Sequence, residues 1–152
     1  MFQFVDKQFI TDMTNVSGAI VIDADTQGAW EWGDHKDMRL AFPRAYSVYR
    51  TCCRAGFAKQ GNCIVVDDSG YKIVILFTKR HRNDSKEIVI KNFASALKQM
   101  INRVSSDIFI YSSILGRDDH CFDEMIPAIK SITNTIDNTV GYNWFVYNKK
   151  GE

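Results

Sequence analysis

Several things are scarce in this chain, and each scarcity narrows the reading. Its 152 residues include only 2 prolines, 3 histidines and 4 cysteines, and the formal net charge is +1. No apolar stretch is long enough to cross a bilayer, which excludes a helical membrane span. The opening residues, Met1-Phe2-Gln3-Phe4-Val5-Asp6, lack a basic segment followed by an apolar one, so they do not read as a signal peptide. A cytoplasmic protein with no membrane partner is expected. Near-neutral charge supplies no overall basic field to argue for nucleic acid and no acidic field against it. Cys52, Cys53, Cys63 and Cys121 contain no C-x-x-C pair; they read as reduced thiols, and neither a structural zinc nor any other metal or cofactor is expected. There is no internal repeat, linker or low-complexity segment. With 45% hydrophobic and 24% charged residues, the chain reads as one ordinary globular domain over residues 1–152.

What is present centres on residues 71–82, Tyr-Lys-Ile-Val-Ile-Leu-Phe-Thr-Lys-Arg-His-Arg. The continuous apolar run 73–77 suits a strand covered on both faces in the middle of an α/β sheet. It stops at Thr78-Lys79-Arg80. A buried strand ending in polar, basic residues delivers them to the carboxyl edge of the sheet, where open α/β folds bind ligands. Lys79 is therefore the first candidate functional residue, although such a cluster also reads as a solvated turn.

In chain order, residues 2–5 read as a strand at or near a sheet edge, and residues 18–22 as a small apolar strand ending on Asp23-Ala24-Asp25. The loop 26–34, with two glycines and two tryptophans, enters helical sequence near Lys36. Pro43 interrupts it and fits the first turn of a second helix, with Ala45, Val48, Tyr49 and Cys52 on one face and Gly56 as its stop. Residues 63–66 and 71–77, joined by Asp67-Asp68-Ser69-Gly70, read as an antiparallel hairpin. Residues 83–87 read as a helix start, with Asp84 and Glu87 spaced as a capping box. A buried stripe of Ile90, Phe93, Leu97, Ile101 and Val104 follows. Residues 108–111 read as a strand, and a helix is expected from about 123 to 136 with Pro127 in its first turn or kinking it. Residues 143–147 read as a last strand. The order β, β, α, β, β, α, β, α, β predicts a mixed sheet with helices on both faces.

Three strand ends then share one edge: residues 23–34, 78–82 and 114–119. Glycine-containing loops that run into helices favour a phosphate, because backbone N–H groups converge there. Gly28, Gly33 and Gly116 fit this role, and each also fits a plain turn.

As an ordered set these features resemble the macrodomain family. The branch they look like is that of the ADP-ribosyl glycohydrolases that use a lysine and an aspartate, which includes the antitoxin partner of a DNA ADP-ribosylating toxin. The matching places, spanning residues 16–147, are four. Thr26-Gln27-Gly28 through Gly33 is followed by Phe42-Pro43 and a helix with Tyr46. The hairpin closes on Thr78-Lys79. The long helix carries Phe93, Leu97 and Met100. Ile114-Leu115-Gly116-Arg117-Asp118 is followed by Phe122-Asp123, where the family commonly has Trp-Glu.

The resemblance implies a three-layer α/β/α fold with a mixed, mostly six-stranded sheet. It implies Lys79 as nucleophile and Asp118 as general acid/base at the distal ribose of an ADP-ribosyl group. Gly28, Gly33, Gly116 and Arg117 would frame the diphosphate, with Thr26, Gln27, Thr78 and Leu115 in the same loops. Partners implied are ADP-ribose or an ADP-ribosylated substrate, protein or nucleic acid, taken by a monomer. A compact member of this kind also fits proteins carried by large phages. Two other activities follow from the same resemblance: hydrolysis of ADP-ribose 1''-phosphate, and binding of ADP-ribose-derived nucleotides without turnover.

The chain departs from the family pattern in places. Glu31 stands where the first phosphate loop usually has a glycine, and a carboxylate repels a pyrophosphate unless it turns outward. Trp30 and Trp32 either form a lid over a sugar or base or pack on the domain. Gln8 aligns near the family's adenine-binding acidic residue, and its amide oxygen also accepts a hydrogen bond. Asp23 and Asp25 lie where many members have an asparagine near the distal ribose; they fit hydroxyl acceptors or a polar strand end. Tyr147 aligns with a late aromatic residue and equally suits core packing. Arg80, Arg82 and Arg117 fit either substrate steering or surface solubility. Asp118 also fits an N-cap or a salt bridge to Lys79. His35, His81 and His120 are placed in loops, and the run Asp118-Asp119-His120-Cys121 is too thin for a metal site.

Overall fold

A computed structural model describes residues 1–9, 18–81, 84–133 and 141–149, with the side chains of Asp118 and Lys149 outside the described set. The elements are β1 (Phe2–Gln8), β2 (Ala19–Asp25), α1 (Gly33–Ala41), α2 (Pro43–Arg54), β3 (Cys63–Asp68), β4 (Tyr71–Lys79), α3 (Lys86–Ile101), β5 (Ile110–Ser112), a 3₁₀ turn (Arg117–Asp119), α4 (Phe122–Thr133) and β6 (Trp144–Lys149). The six strands form one sheet in the order β1-β6-β5-β2-β4-β3. All neighbours are parallel except β3, which returns antiparallel to β4. Among the described residues no helix is long and apolar enough to cross a membrane.

Alternation along β2 and β4 divides the core in two. Ala19, Val21, Val74 and Leu76 face one layer, where Val89, Phe93, Ala96, Leu97 and Met100 of α3 and Met125 and Ile129 of α4 meet them. Ile20, Ile22, Ile73, Ile75 and Phe77 face the other, against Met38, Ala45 and Tyr49 of α1 and α2. Both faces of β4 are thus covered, which is what its unbroken apolar run requires. The fold is a three-layer α/β/α sandwich, as expected, and β1 is the edge strand anticipated for the N-terminal segment.

The local expectations fared unevenly. Pro43 opens α2, where its missing N–H costs nothing. The hairpin forms, but its strands extend through Asp67 and Asp68, leaving Ser69 and Gly70 as the turn. The Asp84–Glu87 capping box does not form. Ser85 is the N-cap of α3 and accepts from the Ile88 N–H, while the Asp84 carboxylate accepts from the Arg80 N–H at 2.5 Å. Phe93, Leu97 and Val104 of the expected stripe are buried and are joined by Val89, Ala96 and Met100; Ile90 is only partly buried and Ile101 is exposed. Pro127 sits inside α4, beyond its first turn, so the bond to the residue-123 carbonyl is lost there. The expected extension of α4 to residue 136 lies partly outside the described residues.

Side chains cover part of the outer edge of β3. The Gln99 amide oxygen accepts from the Cys63 N–H at 3.0 Å, Arg103 donates to the Cys63 carbonyl at 2.9 Å, and Arg44 donates to the Asp67 carbonyl at 3.1 Å.

Phe93 is fully buried between α3 and the sheet. Phe93→Ala should lower unfolding free energy by about 3–5 kcal/mol in a urea titration, the cost of deleting a core aromatic ring. A loss below about 1 kcal/mol would show that this layer is not packed as described.

Candidate functional site

The carboxyl ends of β2 and β4 and the turn after β5 meet at one edge of the sheet and enclose an open cleft of about 620 Å³. Asp23, Ala24, Asp25, Gln27, Ala29, Glu31, Trp32, His35, Lys79, His81 and Asp119 line it. Its size suits a small ligand.

Lys79 is the last residue of β4 and the first to emerge from the layer that buries Thr78 completely. Its Nζ lies 3.2 Å from Asp119 Oδ2 and 3.4 Å from Oδ1, with the two side chains only 12% and 9% exposed. Asp119 is held there by the 3₁₀ turn, its N–H donating to the Gly116 carbonyl at 3.1 Å. Asp118 belongs to the same turn, and its side chain is outside the described residues. The sequence spacing did not single out Asp119 as a partner of Lys79.

The loop after β2 is stitched to the end of β4. The Thr26 N–H donates to the Lys79 carbonyl at 3.1 Å, and the Thr26 hydroxyl and Gln27 amide donate to the Arg80 carbonyl at 3.3 and 2.9 Å. Thr26 and Gln27, expected as ligand contacts, thus use their side chains to fix the loop, although Gln27 also lines the cleft. Asp25 Oδ1 accepts from the Tyr49 hydroxyl at 2.7 Å and from the Gln27 N–H at 2.9 Å. Burial, then the Asp25 charge, pushes the Tyr49 phenol far above its usual range, so it serves as a fixed donor.

Asp23 is a tether between elements. Its Oδ2 accepts from the Gly116 N–H at 3.1 Å, joining β2 to the turn after β5. His35 Nε2 donates to the Asp23 carbonyl at 2.5 Å, so this nitrogen carries the proton. His35 lies in the first turn of α1, contrary to its expected place in a loop.

The two tryptophans separate. Trp30 is wholly buried, stacked on Tyr49 at 4.7 Å between centroids, so it packs on the domain and is no lid. Trp32 is 79% exposed on the lip of the cleft beside Glu31. Of the residues expected to frame a diphosphate, none of Gly28, Gly33, Gly116 and Arg117 lines this cleft. Gly28 is buried against Arg50 and Cys53, and Gly33 opens α1 in free space. The Gly116 N–H is taken by Asp23, and Arg117 pairs with Asp34 at 3.5 Å. Leu115 is a core side chain. Gln8 ends β1 and Tyr147 lies in β6, packed on Phe9 and Tyr111, two or three strands from β2. At ~4.8 Å per strand these two belong to the far end of the same edge.

Burial, with Asp119 and Asp23 nearby, pushes the Cys121 thiol up to about 11, so it is not a thiolate near neutrality. Among the described residues no cluster of three His, Cys, Asp or Glu side chains is arranged to hold a metal.

These elements define the macrodomain fold, and comparison with solved structures bears this out. The chain superposes on the macrodomain of Mycobacterium tuberculosis DarG with a TM-score of 0.73 at 18% identity, and on that of Thermus aquaticus DarG with 0.70 at 22%; each covers 97% of both chains. It also superposes on Thermosipho africanus DarTG in complex with ADP-ribose, with a TM-score of 0.68 at 16% identity, over 88% of this chain and 38% of that one. Family models and curated protein sequences give no match.

Two outcomes follow from this geometry. Burial raises the Asp34 carboxyl above its ordinary value of 3.8, an effect that Arg117 and Ser113 only partly offset. The folded state therefore favours protonated Asp34, and this contribution to stability is present at low pH and lost as pH rises through the raised value. Between about pH 7 and about pH 4 the wild-type melting temperature should rise relative to that of Asp34→Asn; a constant difference would refute the assignment. Gly116 has φ 64°, and a Cβ there would lie 2.7 Å from Cys121 Sγ. Gly116→Ala should cost about 2–4 kcal/mol from left-handed strain and overpacking, read by urea unfolding.

Proposed function

We propose that the protein is an ADP-ribose-binding macrodomain that removes ADP-ribosyl groups from a macromolecule, acting as a single-domain monomer with Lys79 as its nucleophile. The observation that carries this reading is Lys79 itself: a lysine delivered by a buried strand into a cleft of ligand size, touching a carboxylate. The DarTG on which this chain superposes, over 38% of that chain, is in complex with ADP-ribose, which supports the ligand assignment.

The chemistry asks two things of the site. A lysine attacks only after losing a proton, so a carboxylate must stand within contact distance to take it. The free amine then forms a bond from Nζ to the anomeric carbon of the distal ribose. The bond to the macromolecular group breaks with its electron pair going to that group, which takes up the carboxyl proton. Water then cleaves the new C–N bond, returning Lys79 as an ammonium and leaving ADP-ribose with a free anomeric hydroxyl. Asp118 or its neighbour supplies the carboxylate. The diphosphate would lie along the sheet edge from Lys79 towards β6, with the adenosine end near Gln8 and Tyr147.

A second reading, binding without turnover, draws support from Glu31. This exposed carboxylate stands on the lip of the cleft, near Asp25 and Asp23, and disfavours a tightly held diphosphate in the reactive pose.

Calorimetry with ADP-ribose, in parallel with release assays on ADP-ribosylated protein, DNA and RNA and on ADP-ribose 1''-phosphate, separates these readings. Wild type should bind ADP-ribose at or below about 1 mM. Lys79→Ala should retain binding within a few-fold while release falls by more than about 100-fold, as for a group that acts in the transition state. Binding without release in either protein would establish the second reading; no binding would sink both.

A further inference from the structure

Glu31 and Trp32 line the same cleft as Lys79, side by side in the loop that leads into α1. We propose that they select the group to which ADP-ribose is attached, and that this group is an arginine side chain of a protein. The inference rests on the ADP-ribose reading of the cleft, but not on turnover.

Trp32 is fixed at its backbone and free at its ring. As the N-cap of α1 its carbonyl accepts from the Lys36 N–H at 3.2 Å, while its side chain stands in water and, among the described residues, joins no ring contact. Trp30, two positions earlier, is wholly buried against Tyr49. The Glu31 side chain is exposed, and among the described residues no hydrogen bond or ion pair engages its carboxylate. Asp25 adds a further acceptor, because both side-chain bonds that hold it end on Oδ1. An open indole face takes a planar group or a cation, and a free carboxylate takes a cation that donates hydrogen bonds. A guanidinium is planar and charged at once, and its fork of N–H donors matches a carboxylate. A lysine ammonium has no planar face, an imidazole is charged only below about pH 6.5, and an ester-linked carboxyl would leave Glu31 without a partner. A nucleobase would stack on Trp32, but the phosphates of its strand would meet Glu31 and Asp25. Release then follows the course already given. The glycosidic C–N bond breaks with its electron pair going to the arginine nitrogen; the neutral guanidine takes up the carboxyl proton and departs as guanidinium.

Three probes decide this: a peptide ADP-ribosylated on arginine, a peptide carrying the same group through a glutamate ester, and an ADP-ribosylated DNA oligonucleotide. Binding is measured by calorimetry on the Lys79→Ala protein, and release on the wild type. Lys79→Ala should bind the arginine-linked peptide several-fold more tightly than free ADP-ribose. Adding Glu31→Gln or Trp32→Ala should weaken the peptide by about 3–30-fold, with free ADP-ribose bound to the Glu31→Gln protein no more weakly than before; Trp32→Phe should keep part of the preference. In release, Glu31→Gln should raise KM for the arginine-linked peptide with kcat within a few-fold, as for a group that holds substrate and transition state alike. Tighter binding or faster release of the ester or the DNA overturns the inference, and so does an arginine preference that survives Glu31→Gln. If free ADP-ribose binds and no linked form is preferred, the ligand reading stands and the selection falls. If the arginine-linked peptide is preferred in binding but nothing is released from any probe, the hydrolase reading falls and the selection stands.

Discussion

The structure depends on β4 being covered on both faces. A strand buried on one side tolerates a slip of two residues, since the same side chains stay inward. β4 has no such freedom at its end: Thr78 is fully enclosed, Lys79 is the first side chain to reach the cleft, and the parallel register with β2 sets where that happens. Lys79, the proposed nucleophile, is thus positioned by a strand whose apolar run, residues 73–77, is fully buried. The loops then close around this fixed point. Thr26 and Gln27 bond the carbonyls of Lys79 and Arg80, and Asp23 reaches across to Gly116.

The cleft that results is rich in carboxylates. Asp23, Asp25, Glu31 and Asp119 line it against one lysine and two histidines. Much of that acidity is already committed within the protein: Asp23 to Gly116, Asp25 to Tyr49 and Gln27, Asp119 to Lys79. Glu31, beside the exposed Trp32, is the group that most alters the welcome given to an anionic ligand.

The layered fold was legible in sequence because its signals were redundant. The run 73–77, the glycine-flanked hairpin and the strand-loop-helix order all pointed to a mixed sheet with two helical layers, and Pro43 marked a helix start unaided. Lys79 was legible for the same reason, as the abrupt end of an apolar run. What escaped was finer than those patterns. The stripe of α3 was read correctly at Phe93, Leu97 and Val104 but not at its margins, because Ile90 and Ile101 are as apolar as Val89 and Met100. The capping box failed because Ser85, one position later than Asp84, offers an equally good cap and Asp84 is recruited by the Arg80 N–H. The contact of Asp119 with Lys79 was not legible, because composition cannot orient a side chain in a 3₁₀ turn. Trp30 and Trp32 look alike in sequence, yet one is sealed beneath α2 and the other stands in water; only the stacking of Trp30 on Tyr49 separates them.

The side-chain bonds along β3 reach beyond this molecule. On an outer strand, alternate residues present their backbone groups sideways, and those groups invite a strand from another molecule. Here Gln99 and Arg103 occupy both groups of Cys63, and Arg44 occupies the carbonyl of Asp67. A strand arriving from a neighbour would have to break these bonds before gaining its own. At these positions growth of the sheet on the β3 side is hindered by side chains lent from α2, from α3 and from the turn just after it.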